Sequence, residues 1–128
     1  MTDTTTPTGD PVTWFEIGSD DPAAARAFYG DVFGWAFDTQ GPYTLITTAA
    51  GPSPTGGIQD TSVPLPDGTP RTYAVPCVQV ADVAATCAKV EAGGGKVLVP
   101  ATQPPGGPTY AHVTDPAGNH VGIWTPAG

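Results

Sequence analysis

Val12 to Ile17 (VTWFEI) is a short run rich in β-branched and aromatic residues, which predicts a strand with two differently furnished faces, Trp14 and Glu16 on one and Phe15 and Ile17 on the other. Next comes Asp21, a residue type that caps helices, with Pro22 at the first helical position. Ala25, Phe28, Tyr29, Val32 and Phe33 then recur at helical spacing, and Gly34 stops the helix before a short strand at Trp35 to Phe37. The same order returns later: strand Thr72 to Val80, cap Asp82, helix through Ala92 with Val83, Ala84, Cys87 and Val90 as its stripe, Gly93 to Gly95, then strand Lys96 to Val99. Asp21 and Asp82 are separated by 61 positions, as are Gly34 and Gly95, so cap, helix length and terminating glycine coincide in register. Each half finishes with two more strand-like runs, Tyr43 to Thr48 and Gly56 to Gln59 in the first, Thr109 to Thr114 and His120 to Trp124 in the second.

The expected fold is therefore α+β: two βαβββ modules, about 12–60 and 71–126, forming a cup-shaped antiparallel sheet with the helices outside. They make up one domain over 12–128, preceded by a tail, Met1 to Pro11, expected to be disordered for want of large apolar residues.

Composition removes several function classes. Twelve acidic against four basic residues give a net charge of −8, with no basic run, so nucleic acid and anionic membrane surfaces are not expected partners. No apolar run approaches the roughly 20 residues that cross a bilayer. Cys77 and Cys87 show no metal-ligand spacing and accompany no signal peptide, which suits buried thiols in the cytoplasm.

Four stretches, WFEI at Trp14 to Ile17, DPAAARAFYGDVFGW at Asp21 to Trp35, GGI at Gly56 to Ile58 and TDPAGNHVGIW at Thr114 to Trp124, resemble the vicinal oxygen chelate superfamily of glyoxalase I, bleomycin resistance proteins and extradiol dioxygenases. The resemblance implies a cup, commonly built in homodimers, with a divalent metal at its base in the catalytic members. Carried over position by position, its metal ligands fall on Trp14, Val75, Gly122 and a fourth-strand site near Gly57 to Gln59, none of which offers imidazole, carboxylate or thiolate. No metal and no cofactor are therefore expected.

Strand parity says what faces the cup instead. Trp14 and Glu16 share one face, with Phe15 and Ile17 turned to the helix. Tyr73 goes with Val75 and Cys77, Tyr110 with His112, and His120 with Gly122 and Trp124. Tyr43, Trp35 and Phe37 complete the set of candidate ligand contacts, although a core or interface role suits Trp35 and Phe37 better. Alternatives stay open for the rest. Trp14 and Trp124 either meet a ligand or seal a filled interior; Tyr73 and Tyr110 line the cup or stand at its rim. Glu16 is a polar anchor, a general base or an idle residue at the strand's solvent edge. A hairpin around Pro116 and Ala117 pairs His112 with residue 120 or 121, so the two imidazoles should meet. They could contact a ligand, hold an unorthodox metal with Glu16 or Cys77, or stand exposed without a role.

No residue is assigned a catalytic role. The expected function is metal-free capture of a small aromatic or polycyclic molecule, as in the bleomycin-resistance branch, where an antibiotic is sequestered without chemistry. The alternative is a glyoxalase- or dioxygenase-like lyase, isomerase or oxidoreductase with an atypical or absent metal site. A third reading has another protein as the partner.

Overall fold

The computed structural model describes residues 7–128. Eight strands and two helices follow in the order β1 (Val12–Ser19), α1 (Pro22–Phe33), β2 (Ala36–Gln40), β3 (Tyr43–Thr47), β4 (Gly56–Asp60), β5 (Tyr73–Gln79), α2 (Val83–Ala92), β6 (Lys96–Thr102), β7 (Thr109–Thr114) and β8 (His120–Thr125). The repeated βαβββ unit is present in full. Both caps work as the sequence implies: Asp21 accepts from Ala24 N, Asp82 accepts from Ala85 N, and Gly34 ends α1 in the left-handed region at φ 72°.

All eight strands form one sheet in the order β2-β3-β4-β1-β5-β8-β7-β6. Each module contributes four neighbouring strands, and the modules join edge to edge where β1 runs antiparallel to β5. The expectation of a wholly antiparallel sheet is corrected here, because β1 pairs with β4, and β5 with β8, in parallel. In each module the helix and two further strands intervene before the last strand returns beside the first, and that path brings it back pointing the same way.

The convex face carries the core. Ile17, Ile46 and Ile58 form one buried cluster in the first module. Val80, Val83, Cys87, Ala111, Val113 and Ile123 form the other in the second. The helices are seated differently on these clusters. α2 buries Val83 and Cys87, with Val90 packed beside them, while Ala84, expected in its stripe, is exposed. α1 buries nothing fully: only Ala25 and Tyr29 reach the isoleucine cluster, and Phe28, Val32 and Phe33 stay 56, 52 and 59% exposed. A layer of rings holds α1 away, since Trp35 stacks on Tyr29 with centroids 5.2 Å apart and leans on Phe15 at 5.6 Å.

The first six residues of the expected tail lie outside the described residues. At its other end the Pro11 carbonyl accepts from Gln79 N at 2.8 Å. Among the described residues no helix is long and apolar enough to cross a membrane.

Candidate functional site

Tyr43 and Leu45 on β3 and Tyr110 and His112 on β7 line the same cavity, although their strands are five places apart in the sheet. Flat, that distance would be about 24 Å at the usual strand spacing, so the sheet curls into the expected cup. The enclosed volume is about 740 Å³, within the range of small-molecule sites. Most of the residues that parity turns inward, Trp14, Glu16, Tyr43, Tyr73, Val75, Tyr110, His112, Gly122 and Trp124, line the cavity, and Ala111 and Ile123, of the opposite parity, also reach it. Trp35 and Phe37 do not, because they sit on the opposite face beside the isoleucine cluster. His120 shares the cup face but is not on the lining; its ring lies against those of His112 and Tyr73.

The mouth holds what the strand pattern missed. Val63, Pro64, Leu65 and Pro66, from the connection between the modules, reach the cavity, as do Pro104 and Pro108 from the loop before β7. That connection is closed at its base: Thr61 N donates to Ser19 O at 2.9 Å, and Thr61 Oγ1 to Arg71 O at 2.5 Å. Two apolar residues, Val63 and Leu65, between prolines were the one available signal, and they carry no period that assigns a face.

Among the described residues Glu16 is the only carboxylate on the lining, and it does not stand at a solvent edge. Tyr43 Oη donates to its Oε1 at 2.8 Å and Tyr73 Oη to its Oε2 at 2.6 Å. Trp14 Nε1 donates in turn to Tyr43 Oη at 2.9 Å. Both phenols reach the carboxylate by lying across a glycine: a Cβ on Gly57 would run into the Tyr43 ring, and one on Gly18 into the Tyr73 ring. Burial raises the Glu16 pKa above its ordinary 4.5, while the bonds from Tyr73 and Tyr43 pull it the other way. The side chain keeps some exposure, but to the cavity rather than to bulk solvent. Burial, then the charge of Glu16, pushes both phenols far up and the Cys77 thiol to about 12, so Cys77 is no nucleophile at neutral pH.

His112 is 4% exposed, and its Nδ1 lies 2.8 Å from His120 Nε2, one nitrogen donating to the other. Their register differs from expectation: His112 pairs with Gly122 and His120 with Thr114, so the rings meet diagonally on one face. Burial, and secondarily His120, lowers the His112 pKa to about 4; burial lowers that of His120 as well. Both shifts favour the neutral imidazole, and His112 is neutral at pH 7.

The four positions at which the family resemblance places metal ligands can now be fixed. Glu16 pairs with Gly57 in the first module, and Cys77, 61 positions on, pairs with Gly122 in the second, which makes Gly57 the counterpart of Gly122. Trp14, Gly57, Val75 and Gly122 supply no donor atom from a side chain. The room is also taken: Tyr43 fills the space beside Gly57, and Cys77 Sγ lies 3.0 Å from where a Cβ on Gly122 would sit. Among the described residues no three His, Cys, Asp or Glu side chains converge as a metal would require. The residues present do not fit the family's metal.

Two βαβββ modules edge to edge around one cavity define a glyoxalase-like cup. The chain belongs to the Glyoxalase/Bleomycin resistance protein/Dioxygenase superfamily, whose family model matches residues 12–123. Among curated relatives it is 32% identical over 126 residues to the protein named "Putative glyoxylase CFP32" in Mycobacterium bovis and in Mycobacterium tuberculosis. That match takes in 87% of this chain but 44% of those relatives, so the chain spans about half their length. Similar solved structures include methylmalonyl-CoA epimerase from Mycobacterium tuberculosis, with TM-score 0.59 and 15% identity over all of this chain and 94% of that one. The Mn(II)-bound glyoxalase from Novosphingobium aromaticivorans gives 0.58 and 20%, covering 94% of this chain and 41% of the other. At such identities the likeness is one of fold.

Proposed function

We propose that this chain captures a small, flat, largely apolar molecule in its cup and holds it without a metal ion, in the manner of a resistance protein that sequesters an antibiotic. One observation carries the reading: an aromatic-walled cavity of about 740 Å³ lined by Trp14, Val75 and Gly122, with Gly57 covered by the Tyr43 ring, at the positions where metal ligands would be needed. Tyr43, Tyr73, Tyr110, Trp14 and Trp124 offer ring faces, each good ring pair contributing on the order of 1 kcal/mol beyond the area it buries. In this reading the protein works in the cytoplasm, where the buried Cys77 and Cys87 remain thiols. A second copy of the chain covers the exposed side of α1, which agrees with the paired chains that the family resemblance implies and with relatives about twice as long. The test is titration with planar polycyclic natural products, followed through tryptophan fluorescence. Saturable quenching with the ligand recovered unchanged is the expected result. Stoichiometric metal in the purified protein, or conversion of the ligand, would overturn it.

The raised pKa of Glu16 on the cavity wall favours one second reading, a metal-independent acid–base enzyme of the isomerase or lyase type. Conversion of a ligand that is lost in Glu16→Gln while binding persists would replace capture by this reading.

A further inference from the structure

Resting on the capture reading, we infer that the cup is built for a ligand whose flat apolar body carries a protonated nitrogen, an ammonium or amidinium group, and that this cation sits on Glu16.

The donors around Glu16 are oriented for an anion. An indole N–H can only donate, so Trp14 Nε1 occupies the Tyr43 oxygen as a donor and leaves the one proton of Tyr43 for Glu16 Oε1. The Tyr73 hydroxyl takes Oε2 in the same sense. Two phenols donating to two oxygens suit a carboxylate and leave each oxygen with lone-pair capacity to spare.

What surrounds that carboxylate cannot hold its charge unaided. None of the chain's four Lys and Arg residues lines the cavity: Arg71 pairs at the surface with Asp20, Arg26 and Lys89 lie on the helices, and Lys96 opens β6. His112, the one other basic side chain on the wall, is neutral at pH 7 and spends Nδ1 on His120. A buried carboxylate with hydrogen bonds but no counter-ion lacks one component, and a cationic ligand supplies it. The tyrosine and tryptophan faces around Glu16 favour the same partner through cation–π contact, and the net charge of −8 draws cations toward the mouth. Ligands bearing a carboxylate or phosphate find no basic group to receive them.

Three probes of one ring system and different charge separate the possibilities: 9-aminoacridine, cationic at neutral pH, acridone, neutral, and acridine-9-carboxylate, anionic. Each is titrated calorimetrically into the full chain, into Glu16→Gln, and into Asp31→Asn, which removes one negative charge from the exposed side of α1. The cation should bind roughly tenfold or more tighter than acridone, and the anion weakest. In Glu16→Gln the cation and acridone should come within about twofold, with acridone little changed, while Asp31→Asn keeps the full gap. The affinity for acridone shows whether the Gln variant retains its cup, and the ranking in the unmodified protein stands whether or not that variant folds. Equal binding of cation and acridone in the unmodified protein, or a gap that survives Glu16→Gln, overturns the inference and leaves capture intact. Failure of all three probes to bind saturably removes the capture reading itself, and this inference with it.

Discussion

The two modules share a backbone and differ in almost everything placed on it. At positions 61 apart, Trp14 answers to Val75 and Glu16 to Cys77; across the strand registers Leu45 answers to His112, while Tyr43 matches Tyr110 and Gly57 matches Gly122. The first module thus holds the cavity's acid and the tryptophan that organises it, and the second holds its imidazole pair. The helices divide in the opposite sense, α2 seated on its core and α1 half covered. A repeat that closes a cup need not distribute chemistry evenly around it: symmetry fixes where side chains point, and each position then answers to its own neighbours.

The largest test of that asymmetry is in pH, because the two modules should respond with opposite sign. The folded pKa of His112 is lowered from 6.5 to about 4, so its contribution is full above pH 6.5 and is lost as pH falls toward 4. The loss is on the order of 3 kcal/mol at 1.36 kcal/mol per unit. Glu16 is raised above 4.5, so its contribution is full below that value and is lost as pH rises through the folded pKa. Urea unfolding at several pH values should show the unmodified protein weakening between pH 6.5 and 4, a slope that flattens in His112→Phe. Glu16→Gln should gain on the unmodified protein as pH rises. Equal slopes in both variants would dissolve the distinction between the modules.

A smaller difference should separate the helices. Val83→Ala removes methyl groups from the α2 seat, which is 2% exposed, and should cost about 2 kcal/mol through lost burial and the space left behind. Val32→Ala on α1 should be neutral or slightly stabilising in the single chain, because a half-exposed valine contributes little and alanine favours the helix. With a second copy on that face, Phe28→Ser with Phe33→Ser should shift sedimentation toward the single chain, and should also lower that chain's unfolding midpoint, because the two rings contact Tyr29 and Trp35.

Most of both helix stripes was legible in the sequence, and so were the caps, the repeat and, for β1, β5, β7 and β8, most of the strand parity, because these depend on spacing within a few residues. Who covers a stripe is not a local property, and Phe28, Val32 and Phe33 read the same whether a sheet, a ring layer or a second chain lies against them. The anchoring of Glu16 was illegible for a similar reason: its partners Tyr43 and Tyr73 stand 27 and 57 residues away and meet it only once β3, β1 and β5 are registered. Val63 and Leu65 at the mouth escaped because a proline-rich connection has no period. The His112 and His120 rings were rightly brought together from the turn between them, although the strand register proved to be His112 with Gly122.

The two matched glycines give the finest comparison, since the same change should cost different amounts in the two modules. A Cβ at Gly57 meets the Tyr43 ring, whose hydroxyl links Trp14 to Glu16, so relief by swinging the ring into the cavity sacrifices those hydrogen bonds. Gly57→Ala should cost about 1–2 kcal/mol. A Cβ at Gly122 meets Cys77 Sγ at 3.0 Å, and a shift of a few tenths of an ångström suffices, so Gly122→Ala should cost under about 0.5 kcal/mol. Tyr43→Phe removes the hydroxyl but keeps the ring against Gly57. In that background Gly57→Ala retains the steric part of its cost and loses the hydrogen-bond part. A double-mutant cycle by urea unfolding should therefore show coupling between Gly57 and the Tyr43 hydroxyl and none between Gly122 and that hydroxyl. Equal coupling at the two glycines would mean that Tyr43 does not hold Glu16 by lying across Gly57, and the first module would lose its claim to organise the cavity's charge.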